Sequence, residues 1–200
     1  AYIGVQGGID VPLVLGSRST HLISAMGGCE GRALRAGDRL PLGSVHAAHG
    51  ATAGRAWRRD LPVGGARLRV LPGPQVEFFQ ASALDALQSA DYVIGDRSDR
   101  MGFRLEGPSI LHARGADIIS DATPLGTLQV PASGQPILLM ADRQTAGGYP
   151  KIATVIAADM SLAGQLQARD RIRFVVCSRA EAVAALIQQE RAVMAVGGGV

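Results

Sequence analysis

Apolar runs in this chain are short and are cut repeatedly by Gly, Pro or Asp: Tyr2 to Val5, Arg67 to Leu71, Val76 to Phe79, Tyr92 to Ile94, Ile137 to Met140, Ile152 to Ile156 and Ile172 to Val176. Strand-length segments bounded by turn formers at this spacing predict a β-barrel or sandwich. The chain has 26 Gly and 10 Pro in 200 residues, which supplies the turns such a fold consumes. At 47% hydrophobic it has material for one large core or two small ones. No apolar run reaches the roughly 18 residues of a membrane span, so a membrane protein is not expected.

Helices are signalled at two places. Ser82 with Asp85 predicts a capping box for a short helix carrying Leu84 and Leu87, and Ser178 with Glu181 predicts another for the tail. In that tail Val183, Ile187 and Met194 fall near helical spacing, with Gly197 to Gly199 as the stop. Between Leu40 and Ala66 the composition shifts to Gly, Ala, His and Arg, and Leu61 to Gly65 reads as a connection, which places a domain boundary there. The two halves echo each other, in Leu34 to Leu40 and in Leu166 to Ile172. An internal duplication would put the Asp-Arg dipeptide of each at a tight turn entering a strand, with Gly37 supplying backbone freedom that Arg169 lacks.

Several function classes find no support. Cys29 and Cys177 stand far apart with no CxxC pattern, which predicts buried free thiols and neither a disulfide framework nor zinc. The only close histidine pair, His46 with His49, has no third ligand nearby, so no metal is expected. The net charge of +3 is spread among Asp and Glu, and aromatics at 4% are too few for base-stacking platforms, which argues against nucleic acid. No basic and apolar leader opens the chain, so a cytoplasmic location is expected, although a start at Ala1 and not Met suggests lost residues.

Lys151 is the sole lysine among arginines. A compact, flexible ammonium shifts its pKa and serves as an acid, base or oxyanion partner in ways a guanidinium does not. It closes the densest cluster of polar and small residues, Asp142-Arg143-Gln144-Thr145-Ala146-Gly147-Gly148-Tyr149-Pro150-Lys151, between two apolar strands. The glycines permit positive φ and close approach to a planar ligand, and Pro150 biases Tyr149 towards an extended conformation. Asp142, Gln144 and Thr145 offer donors and acceptors suited to an amide-like substrate, Tyr149 can stack on a ureido or lactam ring, and Lys151 can meet developing charge. The competing reading is a solvated hairpin turn.

Three weaker clusters accompany it. Arg100, Arg104 and Glu106 can form an ion-pair network gripping an anion, or can face water from a half-buried strand marked by Phe103 and Leu105. Gly7-Gly8-Ile9-Asp10 with Gly16 to Thr20 sets small residues beside Arg18 but matches no phosphate-binding motif. Gly126 to Pro131 reads as a turn and short strand whose Gln129 can point into a barrel mouth.

In order along the chain, GGIDVPLVLGSRST, GRALRAGDRLPLG, SDRMGFRLEGP, GTLQVP and LLMADRQTAGGYPKIATV resemble the allophanate hydrolase subunit 2 family, also described as subdomains A and B of biotin-dependent carboxyltransferases. The matches run over residues 1 to 176, and family members begin well before the segment matching Ala1. The resemblance implies a mainly β chain: a cyclophilin-like β-barrel preceded by the C-terminal part of a second β subdomain. Residues 1–62 would be the incomplete end of subdomain A, and residues 66–200 subdomain B with a C-terminal helix. It implies a hydrolase subunit of the ATP-dependent 5-oxoprolinase type, acting on a lactam or ureido small molecule and inactive without its partner. That partner is a subunit 1-type (KipI-like) protein, joined in the 5-oxoprolinase setting by a third subunit. Two other settings stay open, a non-catalytic antagonist of a kinase inhibitor and the biotin-dependent carboxyltransferase part of a urea amidolyase. ATP would act in the complex and biotin only in the last setting, since no motif in this chain binds either. The family's GGYP loop falls on Gly147 to Pro150. With the weight the resemblance adds to that loop and to Lys151, the expected catalytic residues are Lys151, Tyr149 and Asp142, and the residues read above as contacting substrate are Gln144, Thr145, Gly147, Gly148, Arg100 and Gln129.

Overall fold

The computed structural model describes residues 3–44 and 61–197. Two compact units divide the chain, Ala1–Arg55 and Ala56–Val200. In the second, alternation of apolar and charged residues sets the strands. β1 (Gly65–Pro72) turns Leu68 and Val70 fully inward while Arg67 stays exposed, as the two-residue period of a pleated strand requires. The remaining strands are β2 (Tyr92–Ile94), β3 (Gly102–Glu106), β4 (Asp121–Ala122), β5 (Thr127–Gln129), β6 (Ile137–Leu139), β7 (Ala146–Gly147), β8 (Lys151–Val155) and β9 (Arg171–Val176).

Seven of them close a barrel in the order β1-β8-β5-β6-β3-β2-β9, and β4 pairs with β7 as a separate ribbon. All barrel ladders are antiparallel except the closing one, where β9 runs parallel to β1 with Gly65 opposite Arg171 and Val70 opposite Val176. Closure leaves no free sheet edge, which removes the usual route to edge-to-edge aggregation. Inside lie Leu68, Val70, Ile94, Leu128, Leu138, Ile152, Ile172 and Phe174, all fully buried. Tyr92 lies among them with its hydroxyl donating to the Pro108 carbonyl at 3.0 Å, and burial pushes the phenol up to about 12. The mainly β barrel expected from the sequence is therefore present.

Helices α1 (Ala83–Ser89), α2 (Ala157–Ala163) and α3 (Arg179–Gly197) pack outside the strands. α2 is fixed to β1 by Asp159, which is almost fully buried and accepts from Arg69 Nε at 3.0 Å, Nη2 at 2.6 Å and its backbone N-H at 2.8 Å. The capping box expected for α3 forms: Glu181 accepts from the Ser178 backbone N-H at 2.7 Å, and Ser178 Oγ accepts from the Glu181 N-H at 3.2 Å. At α1 the helix is present, but Ser82 adopts a helical backbone conformation and makes no side-chain cap.

Three other expectations are corrected. Val76 to Phe79 is not a strand; Val76–Phe78 forms a 3-10 turn after the Pro72-Gly73-Pro74 bend. Ile3 to Val5 carries no strand, and the first unit holds isolated bridges only, Ile9 to Leu42, Val14 to Ser17 and His21 to Met26, among its described residues. The Asp-Arg turns do match each other. The Asp38 N-H bonds the Arg35 carbonyl and the Asp170 N-H the Gln167 carbonyl, while each Asp carboxylate accepts from the N-H three residues earlier. Gly37 has φ +94° and Arg169 reaches φ +75° without glycine's freedom, and only the second turn leads into a strand. His46 and His49 fall outside the described residues.

Candidate functional site

The Asp142 to Lys151 loop is held against the barrel by its carbonyls. Thr145 accepts from the Thr123 N-H at 3.0 Å, Gly148 from Ile118 at 2.8 Å and Pro150 from Val130 at 3.1 Å, while Thr123 Oγ1 donates to the Gln144 carbonyl. Arg143 Nε adds a bond to the Thr123 carbonyl at 2.8 Å. Neither Gly147 nor Gly148 takes positive φ, so the need for glycine here is space. A Cβ on Gly147 would lie 2.7 Å from Gln129 Nε2 and 3.4 Å from Gln144 Nε2.

That space brings two carboxamides together. Gln129, 1% exposed on β5, accepts from Gln144 Nε2 at 3.2 Å and donates to the Tyr149 carbonyl at 3.4 Å. Gln129, Gln144 and half-exposed Tyr149 line a cavity of about 200 Å³ together with the apolar side chains of Met101, Ile137 and Leu139, with Arg97, Asp99 and Arg104 also in its lining. Amide donors and acceptors beside an apolar wall suit a small planar amide.

Lys151 takes another position. It is 2% exposed in β8, opposite Gln129 across an irregular step of the β5–β8 ladder, and its Nζ donates to Asp121 Oδ2 at 2.7 Å. Gln75 Nε2 meets the same oxygen at 3.2 Å, and Gln75 Oε1 accepts from the Lys151 N-H at 3.3 Å. The ammonium hydrogen bond, then the Ala122 N-H and Gln75, holds the Asp121 carboxyl below the usual carboxylate range. Two of the three ammonium protons are left for other acceptors. Lys151 is thus a buried cation beside the amide pair and is absent from the cavity lining.

Arg100, expected to contact substrate, and Asp142, expected to be catalytic, are bound to each other, with Nε to Oδ2 at 2.7 Å and Nη2 to Oδ1 at 3.1 Å. No described ion pair links Arg100, Arg104 and Glu106, because Asp142 has taken the Arg100 guanidinium. Thr145 is exposed within the loop, and its carbonyl is its engaged group. Sequence reasoning missed Asp121, Gln75, Arg97 and the backbone anchors. Only Asp121 had a signal, since one buried lysine requires an anion.

In the first unit, Gly7, Gly8, Asp10, Arg18 and Thr20 help line a larger concavity of about 790 Å³. Arg18 is engaged by Asp10 at 3.2 Å, so its charge is already met. Arg32 grips Asp38 through both terminal nitrogens, at 2.8 and 3.1 Å, which together with the Arg35 N-H lowers that carboxyl to about 2. Among the described residues no group of three His, Cys, Asp or Glu side chains is placed to hold a metal, and no helix is long and apolar enough to cross a membrane. Cys29 and Cys177 are both free and half-buried.

A closed seven-stranded barrel with a short two-stranded ribbon and three outer helices defines a mainly β barrel protein. The chain belongs to the family described as carboxyltransferase domain, subdomain A and B, whose pattern matches residues 1–176. It is similar to the 5-oxoprolinase C subunit of Escherichia coli (strain K12), 41% identical over 191 residues, covering 96% of this chain and 60% of that protein. The protein of the same name from Haemophilus influenzae is 39% identical, with 90% and 57% covered. This chain thus spans less than two thirds of the curated relatives it matches. The crystal structure of the Kluyveromyces lactis urea carboxylase superposes with a TM-score of 0.81 at 27% identity, covering 96% of this chain and 19% of that one.

Proposed function

We propose that the chain is part of a 5-oxoprolinase subunit of the allophanate hydrolase subunit 2 type, which binds a lactam or ureido ring and opens it in an ATP-dependent complex. Residues 1–62 serve as the end of subdomain A and residues 66–200 as subdomain B. The observation that carries this reading is the Gln129–Gln144 amide pair under Gly147 and Tyr149, at the wall of a cavity sized for one small ring. The similarity to two 5-oxoprolinase C subunits supports it. Gln129 and Gln144 hold the ring amide, and Tyr149 covers its face and passes a proton. Lys151, buried behind Gln129, contributes a fixed positive charge where negative charge grows on the carbonyl oxygen. Asp142, held by Arg100, orders the loop, and Gly147, Gly148 and Thr145 set its path.

ATP is consumed elsewhere in the complex, on a subunit 1-type (KipI-like) partner or a third subunit, in the cytoplasm where ATP is available. Likeness to a urea carboxylase favours a second reading, in which a ureido nitrogen receives a carboxyl group from carboxybiotin and free biotin leaves. Full-length protein reconstituted with the other subunits is assayed for ATP-dependent glutamate release from 5-oxoproline. Lys151→Met and Tyr149→Phe are expected to lower that rate about 100-fold, the scale of a lost electrostatic or proton-transfer group. Rates unchanged in both variants remove this site assignment. Activity only with urea and a biotinylated protein moves the chain to the second reading, and capture of a kinase inhibitor without any turnover makes it a regulator.

A further inference from the structure

The cavity lined by Gln129, Gln144 and Tyr149 has a charged side that the ring amide does not use. Arg97 lies on the loop between β2 and β3, and Arg104 lies in β3 directly opposite Ile137 of β6, which lines the same cavity. Ser98 Oγ accepts from the Arg104 N-H at 3.0 Å and so ties the loop to the strand. Both arginines are exposed, and neither guanidinium has an ion-pair partner among the described residues. Their neighbours differ: Arg69, Arg100, Arg169 and Arg173 are each matched to an aspartate. The one carboxylate in the lining, Asp99, spends Oδ1 on the Met101 and Gly102 N-H groups, at 2.8 and 3.2 Å, which shapes the loop. Two guanidiniums against one carboxylate leave an excess positive charge beside the amide pair.

Resting on the ring-amide reading above, the geometry points to a carboxylate subsite formed by Arg97 and Arg104, which selects a compact amide that carries its own carboxylate over a neutral one such as urea. A guanidinium binds a carboxylate through parallel N-H donors, a charge-assisted pairing about twice as strong as a neutral hydrogen bond. The cavity of about 200 Å³ admits one small ring, so amide and carboxylate must sit on the same ring or on adjacent atoms. 5-Oxoproline has that arrangement, whereas 2-pyrrolidinone is the same lactam without the acid.

Binding of both compounds to the full-length protein is measured by ligand-detected NMR and calorimetry. The wild-type protein is expected to hold 5-oxoproline at least about tenfold tighter than 2-pyrrolidinone, the factor set by one charge-assisted bond. Arg97→Gln and Arg104→Gln each weaken 5-oxoproline about tenfold and leave 2-pyrrolidinone unchanged, while Arg104→Lys recovers part of the loss. Thermal melting confirms the fold of each variant, since neither side chain supports the core. Equal affinity for the two compounds, no measurable binding of 5-oxoproline, or preference retained in the double variant overturns the subsite. Turnover separates the two ideas. If 5-oxoproline binds through the arginines but the assembled complex never opens it, the subsite stands and the hydrolase reading falls. If it is opened with an unchanged KM in the double variant, the reverse holds.

Discussion

Gly147 shows how a single missing methyl group builds a site. Its Cα faces Gln129, and an added Cβ would approach Gln129 Nε2 to 2.7 Å, closer than such contacts occur. The neighbouring obstacle is a side-chain amide and not backbone, so the fold can survive the substitution while the Gln129–Gln144 bond is pushed aside. Gly147→Ala is therefore expected to melt within a few degrees of wild type but to lose at least about tenfold in 5-oxoproline turnover, as small misplacements of positioning groups do. A large drop in melting temperature with turnover per folded molecule intact would instead make Gly147 a purely structural residue. In the sequence the glycines, Gln144 and Tyr149 stand out because polar and small residues separate two apolar runs there, and Gln129 because it follows the Gly126 turn in a short strand. Asp121, Gln75 and Arg97 were not legible as partners, since each reaches the site from a separate loop or strand that only the fold brings together.

At the scale of elements, short apolar runs bounded by turn formers made β1, β2, β6, β8 and β9 readable, and the Phe103 and Leu105 pattern marked β3. The Val76 to Phe79 segment failed because so short an apolar run fits either period, and the Pro72-Gly73-Pro74 bend decided for a 3-10 turn. α2 carried no start signal: its N-cap is Ile156, without a side-chain cap, and Asp159 inside it serves Arg69 of β1 instead. α3 was announced by its capping box, which also makes it pH-sensitive. The Ser178 N-H, followed by its hydroxyl, holds the Glu181 carboxyl below its ordinary value of 4.5. A folded value lower than the unfolded one contributes stability above pH 4.5, and that contribution disappears as pH falls through the folded value. The first turn of α3 is thus expected to fray as the pH drops below 4.5 and through the lower folded value, read as faster amide exchange at residues 181 to 184. Glu181→Gln should fray at neutral pH and show no further acid step. An acid step that persists in the variant would assign it to another carboxylate.

For the molecule as a whole, closure depends on the two ends of the barrel sequence meeting. β1 and β9 pair in parallel over Gly65 to Val70 and Arg171 to Val176, and the Cys177 N-H extends the ladder to the Val70 carbonyl at 3.0 Å. The family match stops at residue 176, the last residue of β9, and α3 lies beyond it. α3 rests on the barrel unit through a narrow line of small or polar residues, Ala182, Ala185 and Gln189, all half-buried, with Gln189 reaching Ser161 at 3.5 Å. Its larger apolar residues, among them Val183, Ile187 and Met194, remain exposed. Little apolar area is therefore lost with the helix, and each 1 kcal/mol shifts the melting temperature of a domain this size by only about 2–4 °C. A chain ended after Ser178 is expected to unfold cooperatively within roughly 5 °C of the full chain, and to self-associate less because an exposed apolar face has gone. A chain ended after Asp170 lacks β9, opens β1 and β2 as free edges, and is expected to be insoluble. Calorimetry with light scattering on the two truncations decides the matter. Collapse of the longer one would show that α3, and not the β1–β9 pairing alone, keeps the barrel shut.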